Sequence, residues 1–236
     1  MKSFIENFKD ALKYSVSDWR IILLIGTIMF FISLLRKFAI VDPYLKSLFY
    51  ILSSLFLFVE VGYGSKTAAT SIRGDDKPPK LNKIQKLMWE GFKKTIIISI
   101  YIIPLHYLFY KAKTSLFIES PLCIIYSALF IGIYILLILG LINRYHYNGS
   151  FFKAFDYMEI FNLLKRIKVK NLLFVLICAM LAQSFAIQCF IDLENGFNAL
   201  ELAYTILTFF LAPWMLITTK RLIALNVRDL LNAMKN

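Results

Sequence analysis

PLCIIYSALFIGIYILLILGLI, residues 121–142, runs for 22 residues without one Asp, Glu, Lys, Arg or His. A helix of about 20 apolar residues crosses the hydrocarbon core of a bilayer, so this run reads as a membrane span. Outward from it lie five more apolar runs, at about 21–35, 44–64, 95–110, 172–191 and 202–219. The polar segments before, between and after the six runs hold four, two, eight, two, six, none and four Lys and Arg residues, and Lys46 at the start of the second run brings the total to all 27. Basic residues cluster in cytoplasmic segments of membrane proteins, so this alternation predicts six spans with both termini cytoplasmic.

Composition agrees. The chain is 59% hydrophobic, where a soluble domain averages about 45–50%. Six spans leave little of the 236 residues for anything else, so the expectation is a single polytopic domain over residues 1–236 in the cell membrane. The net charge of +12 falls on the predicted cytoplasmic side. It points to anionic lipid headgroups as the partner surface and not to nucleic acid. Some twenty polar and amphipathic residues precede the first run with no small-residue cleavage site after it, so the first span is expected to act as its own targeting signal.

Between the runs the apolar residues change period. Phe4, Phe8, Ala11, Leu12, Ser15 and Trp19 fall at helical spacing, as do Leu81, Ile84, Leu87, Met88, Gly91 and Phe92, and again Phe151, Phe155, Met158, Phe161 and Leu164. Each set predicts an amphipathic helix lying in the interface ahead of a pair of spans. The expected fold is therefore all-α: three hairpins, each preceded by an interfacial helix.

Residues 14–19 read YSVSDW, residues 62–81 read GYGSKTAATSIRGDDKPPKL, and LMWEGFKK follows at 87–94. These segments resemble an uncharacterised, methanogen-type family of archaeal membrane proteins, a domain of unknown function whose pattern runs Y-x-x-S-D-W and then G-Y to G-[ED]-D-x-x-P. Tyr14, Ser17, Asp18, Trp19, Gly62, Tyr63, Gly74, Asp75, Asp76, Pro79, Gly91, Phe92 and Lys93 carry the match. Glu90 stands where that family often has Asp, and Lys80 and Lys83 stand where it often has acids. The resemblance implies the fold and an archaeal source but no chemistry.

Enzyme motifs are absent: there is no H-E-x-x-H, G-x-S-x-G, P-loop or C-x-x-C. No cofactor or metal is expected, and the protein is expected not to be an enzyme. Several polar positions remain as candidates. Glu60 is the one acid within a run; it serves transport, or it forms a structural ion pair with Arg20, Lys66 or Arg144. Gln183, Ser184 and Gln188 form a polar patch on the fifth span that lines a cavity or bonds across helices. His106 lies near the outer end of the third span, opposite His146, as a proton relay or a plain interfacial side chain. Asp75 and Asp76 are adjacent carboxylates that hold a divalent cation or simply follow a helix stop at Gly74. Cys123 and Cys189 fall near the same outer face, as a disulfide or as two packed thiols. Asn148-Gly149-Ser150 reads as a turn. A non-enzymatic membrane scaffold or lipid-interacting protein leads, with a small transporter or channel subunit routed past Glu60 and the fifth span as the alternative.

Overall fold

In the computed structural model, the described residues are 4–41, 44–113, 122–167, 170, 172–174, 176–178 and 199–233. They are helical apart from short connections, with no strand among them. The helices are α1 (Phe4–Val16), α2 (Trp19–Val41), α3 (Lys46–Arg73), α4 (Ile84–Lys113), α5 (Leu122–His146), α6 (Tyr157–Arg166) and α7 (Ala199–Ala233), with a 3-10 turn at Phe152–Phe155 before α6. Four stretches are long and apolar enough to cross a membrane: Trp19–Arg36, Lys46–Arg73, Ala128–His146 and Thr205–Arg228. The apolar stretch of α4 between Lys94 and Lys111 has 16 residues. At 1.5 Å per residue it covers about 24 Å, short of a hydrocarbon core of roughly 30 Å. The fifth expected span, 172–191, lies largely outside the described residues.

The elements alternate in direction, so the start of α2, the end of α3, the start of α4 and the ends of α5 and α7 meet at one end of the bundle. Most basic residues sit there, and it is called the basic end below. The chain makes its first bend at Ser17-Asp18. Ser17 donates from both N–H and Oγ to the Tyr14 carbonyl, and the Asp18 carbonyl accepts from Ile21 N–H at 3.1 Å, which starts α2. Gly74 ends α3 in the left-handed region at φ 97°, its N–H shared by the carbonyls of Thr70 and Ser71. That cap is cheap for glycine alone, which has no Cβ to clash.

One expected boundary shifts. The amphipathic segment at 81–92 is not a separate interfacial helix: it is the first turns of α4, continuous with the apolar stretch, because no glycine or proline interrupts the helix between Ile84 and Thr95 except Gly91, which packs inside it. Past residue 219, α7 runs on unbroken to Ala233. Among the described residues, α1 and α6 are the two short α-helices that stand apart from the long ones.

The central element is α3, which packs against α2, α4, α5 and α7. Its second half is nearly all small or buried: Gly62, Tyr63, Gly64, Ser65, Thr67, Ala68, Ser71 and Ile72. Small residues let helix backbones approach closely. At the α3–α4 crossing a Cβ added to Gly62 would overlap the Leu87 carbonyl, and one added to Gly91 would overlap the Phe58 carbonyl. The largest core cluster lies at the basic end and joins Ala11 of α1, Ile72 of α3, Leu139 and Ile142 of α5, Ile160 and Leu163 of α6, and Leu222 and Val227 of α7. The other half of the bundle exposes large apolar side chains, among them Leu48, Ile51, Ile103, Phe130 and Leu207. In water such a surface is unfavourable at roughly 25 cal/mol per Å²; against lipid tails it costs nothing.

A methyl group at the crossing has nowhere to go, since both neighbours are backbone. Gly91→Ala and Gly62→Ala should each lower stability by about 3 kcal/mol or more, above the usual overpacking range. Gly132→Ala, where an added Cβ meets nothing within 4 Å, should be neutral. Thermal unfolding midpoints of the three variants in one detergent would check this.

Candidate functional site

The charged side chains at the basic end fall into two buried groups and one at the surface. The first centres on Arg144 in the last turn of α5, whose side chain is 0% exposed. Its Nη2 donates to Glu90 Oε2 on α4, and the other Glu90 oxygen accepts from Lys93 Nζ at 3.2 Å. Arg144 Nε and Nη1 are buried with no hydrogen-bond partner among the described residues. Lys94, also buried, lies within electrostatic reach of Arg144 and Glu60. Lys220 of α7 lies within electrostatic reach of Lys94 and Tyr145.

The second group centres on Arg221 of α7, 2% exposed. Its Nε donates to Asp10 Oδ1 of α1 at 3.1 Å, its Nη1 donates to the Asp75 carbonyl at 2.6 Å, and its guanidinium lies 4.4 Å from the Tyr14 ring centroid. One side chain thus ties α1, α7 and the α3–α4 connection together. An Arg fork suits this role because its donors point in fixed, separate directions.

The surface group holds the start of α6. Lys153 Nζ donates to Asp156 Oδ2 at 3.0 Å and to Glu159 Oε1 at 2.8 Å, and Asp156 caps the helix by accepting from Glu159 N–H. Lys153 is held well above the usual lysine range by its hydrogen bonds to Glu159 and Asp156. Asp156 is held below the usual carboxylate range, mainly by Lys153. For Glu159, burial pushes upward, but bonds from Lys153, Asn143 and Tyr147 together outweigh it and bring the group down.

Beside the first group is a cavity of about 310 Å³ between α3, the first turns of α4 and the end of α5. Lys66, Arg73, Lys83, Lys86 and Arg144 line it, together with Glu90. Lys66 Nζ donates to the Lys80 carbonyl at 3.0 Å and to Asn82 Oδ1 at 2.9 Å, and Arg73 Nη2 donates to Asn148 Oδ1 at 2.9 Å. Asn148 and Gly149 form the turn after α5, both with positive φ, as the N-G pair suggests.

Of the positions singled out in the sequence, Glu60 is buried on α3, 7% exposed. The cations whose fields reach it are Lys94 first and Arg36 second, rather than Arg20, Lys66 or Arg144. Lys66 is six residues on, turned about 240° around the helix, and faces the cavity instead. Asp75 and Asp76 are exposed, and Asp75 contributes its backbone carbonyl to Arg221, not its carboxylate. His106 is exposed near the far end of α4, while His146 ends α5 at the basic end. Among the described residues no three His, Cys, Asp or Glu side chains come together. Gln183, Ser184 and Gln188 lie outside the described residues, as does Cys189 of the Cys123–Cys189 pairing. Arg144 is named from sequence only as a partner for Glu60, not for Glu90, and Lys94 and the Arg221–Asp10 tie are not singled out there. Glu90 and Lys94 are four apart, a local hint that they share a helix face; Asp10 and Arg221 are 211 apart, with no local signal.

Removing Glu90 strands a fully buried guanidinium. Glu90→Gln should cost on the order of 3 kcal/mol, because a lone buried charge is far worse than a paired one. Adding Arg144→Gln to it should recover part of the loss. A double-mutant cycle read from unfolding midpoints would show this; additive losses would mean that the two side chains do not depend on each other.

Residues 45–193 match the model of a protein family described as a protein of unknown function, DUF4013. No curated protein and no solved structure matches the chain. The matched segment takes in the α3–α4 crossing, the Arg144–Glu90 pair and the whole cavity, and with more than half of its length matched the chain belongs to the DUF4013 family.

Proposed function

We propose that this is a non-enzymatic, six-span protein of the cell membrane, with both termini cytoplasmic, whose basic end is a lipid-interacting scaffold surface. One observation carries the reading: α1 and α6, the two separate amphipathic helices, dock at the same basic end and turn large apolar side chains outward. Ala11, Tyr14 and Ser15 of α1 and Ile160 and Leu163 of α6 face the bundle. Ile5, Phe8 and Val16, and Phe152, Met158 and Phe161, stay exposed, with Met158 78% exposed. Exposed Lys9 and Lys13 on α1, and Lys165 and Arg166 on α6, accompany them. Apolar anchors with lysines beside them suit the boundary between acyl chains and anionic headgroups. The surplus of basic residues at this end supports a cytoplasmic orientation.

Phe8→Cys and Met158→Cys variants, labelled with an environment-sensitive fluorophore in phosphatidylcholine–phosphatidylglycerol vesicles, should be quenched by brominated acyl chains and shielded from aqueous iodide. Strong iodide quenching at both sites would sink the reading. A second reading, a small transporter or channel subunit, draws on buried Glu60 and on Lys220, each within electrostatic reach of Lys94, since ionisable groups inside a bundle often mark an ion path. It requires Glu60→Gln to abolish flux of a candidate ion in vesicles while protein yield stays at the wild-type level. Unchanged flux would leave Glu60 a structural charge.

A further inference from the structure

The cavity between α3, α4 and α5 carries more positive charge than its own residues balance. Lys66, Arg73, Lys83, Lys86 and Arg144 line it, against the single carboxylate of Glu90. Both Glu90 oxygens are already engaged, one by Arg144 and one by Lys93. The bonds that hold Lys66 and Arg73 go to a carbonyl and to two Asn side-chain oxygens, which fix direction without neutralising charge. The Lys83 and Lys86 side chains make no hydrogen bond or ion pair with any described residue, and both lie close enough for their charge to bear on Lys66. Arg144 adds a buried guanidinium with two donors unpartnered among the described residues. The first turn of α4, with the partial positive charge of a helix N-terminus, forms part of the rim. Cations gathered this way repel one another unless an anion sits among them.

We propose that this cavity is a binding site for a phosphate-bearing anion, supplied by a soluble phosphate compound or by a lipid headgroup. Phosphate suits it because several oxygens share the charge and accept from several donors at once. The volume of about 310 Å³ lies at the low end for ligand pockets, the scale of a headgroup rather than a large cofactor. The proposal rests on the reading above only for the lipid source; the anion site itself does not.

The test uses the full chain in neutral detergent. Binding of radiolabelled inorganic phosphate and of fluorescent phosphatidic acid in mixed micelles is measured separately, with fluorescent phosphatidylcholine as the control. The Lys83→Asn/Lys86→Gln variant should bind about tenfold or more weakly, as expected when two charge-assisted bonds are lost. Lys77→Gln/Lys170→Gln removes two charges outside both the cavity lining and the α1 and α6 surfaces, and should bind like wild type. Both variants change exposed side chains, and unfolding midpoints confirm that they are folded. Lysine-dependent binding of phosphatidic acid, with or without inorganic phosphate, assigns a lipid headgroup. Lysine-dependent binding of inorganic phosphate alone assigns a soluble compound. Binding of neither, or equal weakening in the two variants, overturns the site. Phosphate binding that survives while the α1 and α6 probes read as water-exposed would defeat the scaffold reading and leave this one standing.

Discussion

Two glycines, Gly62 on α3 and Gly91 on α4, let one backbone rest on another, and much of the basic end depends on that contact. Each glycine fits against a carbonyl of the opposite helix, at Leu87 and Phe58. With the helices this close, Glu90 and Lys94, just beyond Gly91 on either side, come within range of Arg144 and Glu60. Four residues of α3 beyond Gly62, the side chain of Lys66 points across to the start of α4. Wider spacing would leave the charges at the end of the bundle separated by water or by side chains, and the cavity would have no second wall.

The same geometry explains why buried charge is tolerated there. A charge taken out of water is costly unless a partner replaces its hydration. Arg144 has Glu90, Arg221 has Asp10 and the Asp75 carbonyl, and Lys94 has Glu60 within reach. These ties link α1, α3, α4, α5 and α7, so the charged residues also join elements that are remote in sequence. The opposite half of the bundle has little of this. Its helices expose Leu, Ile and Phe side chains, as suits a surface that meets lipid tails.

Much of the fold could be read from local sequence. The Gly74 stop and the Asn148-Gly149 turn each act over a few residues and are found where the sequence places them, and four of the apolar runs lie in helices long enough to cross a membrane; the bend at Ser17-Asp18 instead cuts short a helical period that continues in sequence to Trp19. Where expectations slipped, the cause was competition between local and longer-range signals. The amphipathic period of 81–92 reads in sequence as an interfacial helix, yet the same residues continue unbroken into α4 because nothing stops the helix. The apolar face expected on α1 is divided: Ala11 and Ser15 pack on the bundle while Phe8 faces out. Glu60 was legible as unusual, but its neighbours were not, since the helical phase that turns Lys66 away matters as much as nearness along the chain.

By itself, the sequence determined the class and the alternation. Long uncharged runs cannot stay in water, and their basic flanks mark one end. Hydropathy and charge are properties of short segments, so they survive without knowledge of packing. Only the tertiary structure decided which charges meet. Arg144 with Glu90, Arg221 with Asp10, and the lysines around the cavity come from different helices, and their pairing follows from how closely α3 and α4 cross and how α7 closes the bundle. Electrostatic energy depends on distance through space, and that distance is not written in the spacing along the chain.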